Sequence, residues 1–138
     1  MPDKKTVNKA REDLRRGKRP STAAGEFVRE EFEHVREGKH GAKSPKQVIA
    51  IGLSKARRAG VPLSPPKRGQ ASAKTRRSAE LAYEEGQGQR SPRTPSAKRS
   101  RATRGVLKRM GHSAASHSAI SAQAKKSSAQ RRGRQRAG

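Results

Sequence analysis

Hydrophobic positions are sparse in this chain and fall into short stripes of helical period. Val7, Ala10 and Leu14 stand at i, i+3 and i+7 within Thr6 to Arg16, just before Gly17. The spacing predicts a short helix there. Between Ser21 and Glu37, Val28, Phe32 and Val35 follow i, i+4, i+7, Phe27 widens the stripe, and Gly38 supplies a stop. The opposite face of this predicted helix carries Glu26, Glu30, Glu31, Glu33 and Glu37 with Arg29 and Arg36. Pairs such as Glu26 with Arg29 lie within reach at i, i+3 on an outer, solvated surface.

The strongest punctuation runs from Ser44 to Pro62. Ser44 suits the N-cap, Pro45 the first helical position, and Gln47 completes a capping box. At the other end Arg57 and Arg58 face the negative pole of the helix. There Gly60 allows a left-handed residue, Val61 can contact Ala56, and Pro62 forbids continuation. A helix over 45–59 follows, with Ile49, Leu53 and Ala56 as its stripe and Val48 and Ile51 broadening it. Gly52 offers room for close approach of a neighbour. The nearest partner is the preceding Phe27/Val28/Phe32/Val35 face, reached through a short loop.

The expected organisation is therefore all-α. A basic N-terminal segment (1–20) precedes a small helical hairpin (21–62). A linker (63–71) leads to a candidate third helix (72–85) that would lay Leu81 and Tyr83 on the hairpin. Residues 86–138 form a basic, low-complexity arm, largely disordered or marginally helical.

Charge sharpens that boundary. The chain has 138 residues, 35 Lys or Arg against 11 Asp or Glu, and a formal charge of +24. Val, Leu, Ile and Phe make up about 12%, below the roughly 20% under which a highly charged chain rarely forms a full core. All acids lie between Asp3 and Glu85, whereas the last 53 residues hold fourteen Lys or Arg and no acid. Such a segment repels itself and seeks an external polyanion. The candidate phosphate-contacting residues are Arg90, Arg93, Lys98, Arg99, Arg101, Arg104, Lys108, Arg109, Lys125, Lys126, Arg131, Arg132, Arg134 and Arg136.

Other chemistry is excluded by composition. With no cysteine there is no disulfide framework and no thiolate metal site. His34, His40, His112 and His117 show no metal-helix spacing and read as solvated polar residues. No Gly-rich phosphate loop occurs, so neither an enzyme, a cofactor, a metal nor a small-molecule substrate is expected. The longest apolar run, Val48 to Leu53, is far too short for a membrane span, and no signal-peptide centre is present. A cytoplasmic, nucleoid-associated location is the expectation.

Neutralising phosphates with Lys and Arg is independent of sequence. Single-strand recognition needs exposed rings, and with Phe27 and Phe32 in the core only Tyr83 remains. Non-catalytic, sequence-tolerant binding of double-stranded DNA is thus favoured, with self-association through the hairpin. The alternatives are an RNA- or ribosome-associated basic protein, and a protein-interaction module whose tail is incidental.

Two stretches carry a resemblance. Ala24 to Glu31, continuing through His34 to Gly41, and Ser44 to Val61 with its Ile49-Ala50-Ile51-Gly52-Leu53-Ser54 centre, resemble a domain-of-unknown-function family of small basic bacterial proteins. Arg104 to Arg109 and Ser113 to Ala119 resemble it more loosely. Some members of that family are labelled plasmid stabilisation protein or DNA-binding protein. The resemblance implies a bacterial, DNA-maintaining role and assigns no functional residue.

Overall fold

Six α-helices occur among the described residues: α1 (Lys4–Arg15), α2 (Pro20–Arg36), α3 (Pro45–Arg58), α4 (Ala73–Gly86), α5 (Ala97–Arg109) and α6 (His117–Ala137), with a 3-10 turn at Ser113–Ala115 before α6. This computed structural model describes residues 2–91, 94 and 96–137. The expectation of a small hairpin trailing a largely disordered or marginally helical arm is overturned. The C-terminal segment forms two full helices, and α1 and α4 join the hairpin helices. The physical reason is local: Ala, Gln, Lys and Arg, which dominate α6, are among the better helix formers, so thin apolar content does not prevent regular structure. Ser116 supplies the start, its Oγ accepting from the Ala119 N–H at 3.2 Å.

The chain forms two compact units, Met1–Glu31 with Ile49–Ser96, and Phe32–Val48 with Ala97–Gly138. In the first, Ala10, Ala23, Ala24, Phe27, Ala56 and Val61 form a buried cluster, with Val7, Leu14, Leu53, Ala59 and Leu63 packed against it. The Val7/Ala10/Leu14 stripe, on the helix its spacing predicts, is therefore a wall of this core. Alanines dominate, so the backbones lie close. Gly52 shows how close: a Cβ there would stand 2.7 Å from Val28 Cα and 3.0 Å from its nitrogen.

Two of the five glutamates expected on the solvated face of α2 are instead buried. Glu31 pairs with Lys55 of α3, and a Glu30 carboxylate oxygen accepts from the Asp3 N–H at the start of α1 at 2.8 Å. The sequence pattern treats this face of α2 as free, whereas α3 meets it at Glu31 and the start of α1 meets it at Glu30. Glu26 and Arg29 do approach, at 4.0 Å.

Helix α3 ends as its punctuation dictates. Gly60 has φ +101°, and the Val61 N–H reaches the Ala56 carbonyl at 3.1 Å. Arg57 does more than face the helix pole: its Nε donates to Leu63 O at 3.1 Å and its Nη2 to Ser64 O at 3.2 Å. It thereby ties the following linker back onto the helix. Burial pushes its guanidinium below its ordinary pKa. Helix α4 opens on Ser72, whose Oγ accepts from the Thr75 N–H at 3.2 Å. It buries Ala79 and Ala82, while Leu81 and Tyr83, the expected anchors, are half-buried. At its end Gln87 Nε2 donates to Gly60 O at 3.1 Å and Arg58 lies 3.6 Å from Glu85.

In the second unit Phe32, Val35, Ala42, Val48, Ala114 and Ala115 are buried. At the start of α3 the serine half of the expected capping box forms, while the glutamine reaches one residue further back than the box requires. The Gln47 N–H donates to Ser44 Oγ at 3.3 Å, and Gln47 Oε1 accepts from the Lys43 N–H, one residue before the cap, at 2.6 Å. The preceding loop caps α5: the Gly41 N–H donates to Leu107 O at 2.7 Å and the Ala42 N–H to Gly111 O at 3.0 Å. Leu107 O also accepts from the Met110 N–H at 3.2 Å, and Gly111 follows the helix, so the loop backbone is fastened to the last turn of α5 and the residues just after it. Arg36 Nε donates to Ala115 O at 3.1 Å, anchoring the 3-10 turn. No helix among the described residues is long and apolar enough to cross a membrane.

Candidate nucleic-acid interface

Of the fourteen cations singled out in the sequence, Arg93 lies outside the described residues, and all the others are exposed. Arg90 stands apart from the rest. It belongs to the first unit and pairs with Glu84 at 3.1 Å, so its charge is partly compensated. The remainder sit on α5 and α6 of the second unit, where no acid occurs in either helix.

Helical structure turns what would have been a diffuse extended charge into rows. On α5, Arg101, Arg104 and Lys108 fall at i, i+3, i+7, within about 60° of one another around the helix axis. Ser100, Gly105, Leu107 and Met110 of the same segment are half-buried, whereas Val106 is 45% exposed. On α6, Lys125, Arg132 and Arg136 fall at i, i+7, i+11, within about 40°. Of its half-buried residues, Ile120, Gln123 and Ser127 lie on the opposite side and Ser128 lies beside the row, whose own members are all exposed. At 1.5 Å rise per residue the row extends roughly 16 Å. Arg131 Nη2 lies 3.3 Å from Ser128 Oγ, one turn back. Arg134 and Arg136 occupy the last turn, where the helix dipole favours positive charge.

The remaining chemistry is located as follows. Phe27 and Phe32 are buried and Tyr83 is half-buried, so no Phe or Tyr ring is fully exposed among the described residues. His112 and His117 are exposed as expected. His34 and His40 are not: both are half-buried, their rings meet edge-on with centroids 6.2 Å apart, and His40 Nδ1 donates to Gly41 O at 2.9 Å. Ser44 is a helix cap, and Ser64 offers its carbonyl to Arg57.

Sequence reasoning places every candidate cation beyond residue 85 and passes over α1. There Lys4, Asn8, Arg11 and Arg15 are all exposed and fall at i, i+4, i+7, i+11. The spacing is legible once a helix beginning at Lys4 is recognised.

Comparison with protein-family models, curated proteins and solved structures finds no match to this chain.

Proposed function

We propose that this is a non-catalytic protein that binds duplex DNA through its phosphate backbone, without base-sequence preference, using the cationic rows of α5 and α6. The observation that carries the reading is the acid-free pair of helices with every described candidate cation exposed. Regular rows hold guanidinium and ammonium groups at fixed spacing, so counterions are released from several phosphates at once. No Phe or Tyr ring is fully exposed among the described residues, which favours a duplex over a single strand, because single-strand binding relies chiefly on stacking upon such rings. Association with the nucleoid, compaction, or plasmid retention are the cellular roles that follow from such binding.

Binding to a short DNA duplex and to a structured RNA, measured over a range of salt, tests the proposal. Full-length protein is expected to prefer the duplex with a steep salt slope. Replacing Lys125, Arg132 and Arg136 together with Gln is expected to weaken binding and to flatten the slope by about 2.7, at ~0.9 for each phosphate no longer neutralised. Tighter binding to RNA at matched salt, or an unchanged slope in the triple variant, would overturn it.

A further inference from the structure

We propose that α1 is a second, independent contact for duplex phosphate, so that a single molecule bridges two DNA segments. The inference rests on the reading of α5 and α6 above and goes beyond it. Helix α1 buries Ala10 and packs Val7 and Leu14 on the core of the first unit. Along one edge of that packed stripe run Lys4, Asn8, Arg11 and Arg15, all exposed and within about 60° around the helix. The row spans roughly 16 Å, as long as the row on α6.

Three observations mark it as a place for an anion. A concavity of about 420 Å³ opens beside the helix, lined by Asn8, Arg11, Leu14 and Arg15; two guanidiniums and an amide flank it, all able to donate. The acids of α1 are already engaged, Glu12 with Arg16 at 2.6 Å and Asp13 with Lys18 at 3.0 Å. Among the described residues no carboxylate pairs with Lys4, Arg11 or Arg15. A membrane surface fits less well, because the apolar residues that would insert, Val7 and Leu14, are packed inward.

The rows of α1 and of α5 and α6 belong to different compact units, so occupation of one leaves the other's cations unspent. Two such contacts on one chain give avidity for DNA that offers many phosphates, and crosslinking where the segments are separate.

The test is capture of a fluorescent duplex by an immobilised duplex through limiting full-length protein. The variant K4Q/R11Q/R15Q is expected to lower capture of the second duplex about tenfold while affinity for a single duplex changes less than about twofold, since avidity needs both contacts. The control K5Q/K9Q/R19Q removes the same number of charges from elsewhere in this region and is expected to keep capture within about twofold. Arg11→Gln alone, the mildest change, is expected to reduce capture about threefold, with the melt of the wild type.

Wild-type capture by the row variant would overturn the proposal; a dimer bridging through two copies of α6 would behave so. Equal loss in both triple variants would also overturn it, showing general charge rather than a site. Loss of binding to phosphatidylserine vesicles with capture intact would assign α1 to lipid instead. Failure of the wild type to bind any duplex sinks the reading of α5 and α6. Binding one duplex without capturing a second sinks bridging alone.

Discussion

Gly52 sits where helix propensity and packing pull in opposite directions. Alanine there would gain roughly 1 kcal/mol of helix propensity. Its Cβ, however, would stand 2.7 Å from the Cα of Val28, a backbone atom that cannot swing away, and overpacking of this kind costs about 1–3 kcal/mol or more. Gly52→Ala is therefore expected to lower stability by about 1–2 kcal/mol in urea denaturation, with overpacking outweighing propensity. An unchanged or raised midpoint would show that the two helices separate easily. Lys55 poses a different question. It meets Glu31, whose side chain is fully buried, while keeping a quarter of its own exposed. Lys55→Met leaves that carboxylate without its ammonium and is expected to cost about 2 kcal/mol. Adding Glu31→Gln should then cost less than the sum of the two single changes, since the groups act as a pair.

Caps decide where the helices of this chain begin and end, and two kinds are present. Ser44, Ser72 and Ser116 act through side chains within three residues of the amide they satisfy. Ser116→Ala is expected to cost about 1 kcal/mol, seen as lower helicity by far-UV circular dichroism, because the largely exposed α6 has little packing to replace its cap. The end of α5 is capped from a distance by the Gly41 and Ala42 amides. A side chain at Gly41 would collide with the Met110 carbonyl, its Cβ falling 1.9 Å from the oxygen. Gly41→Ala should therefore lower the melting temperature markedly while leaving single-duplex affinity at low salt nearly unchanged. An unaltered melt would mean that the loop contributes nothing to α5.

Charge dominates the behaviour of the molecule taken together. At +24 its solubility and association rates are expected to depend strongly on ionic strength. The segment that carries most uncompensated charge also completes a folding unit. Removing residues 86–138 deletes Ala114 and Ala115 from the buried set and strips Gly41 and Ala42 of their acceptors. A chain ending at Glu85 is expected to unfold at a lower midpoint and with less cooperativity than the full chain; an equal midpoint would show the C-terminal helices to be thermodynamically idle. For this reason binding is better dissected by charge-removing substitutions than by truncation.

Helix α3 is legible in the sequence almost to the residue, because a capping serine, a first-turn proline and a terminal Gly-Val-Pro all act within a few positions of the helix ends. The α2 stripe and the start of α4 are legible for the same reason. The charged cluster beyond residue 85 is legible as composition alone. Its helical rows are not, because thin apolar content argues against helices there while the intrinsic preference of Ala, Gln, Lys and Arg favours them. Other features depend on which elements meet across long sequence separations. Glu30 and Glu31 share the spacing of surface glutamates, and their burial goes with partners distant in sequence such as the Asp3 amide and Lys55. Nor does any local pattern around Gly41 announce that its amide closes a helix more than sixty residues away. Local hydrogen bonding is written in short spacings; the fate of a polar face is set by whatever the fold brings against it.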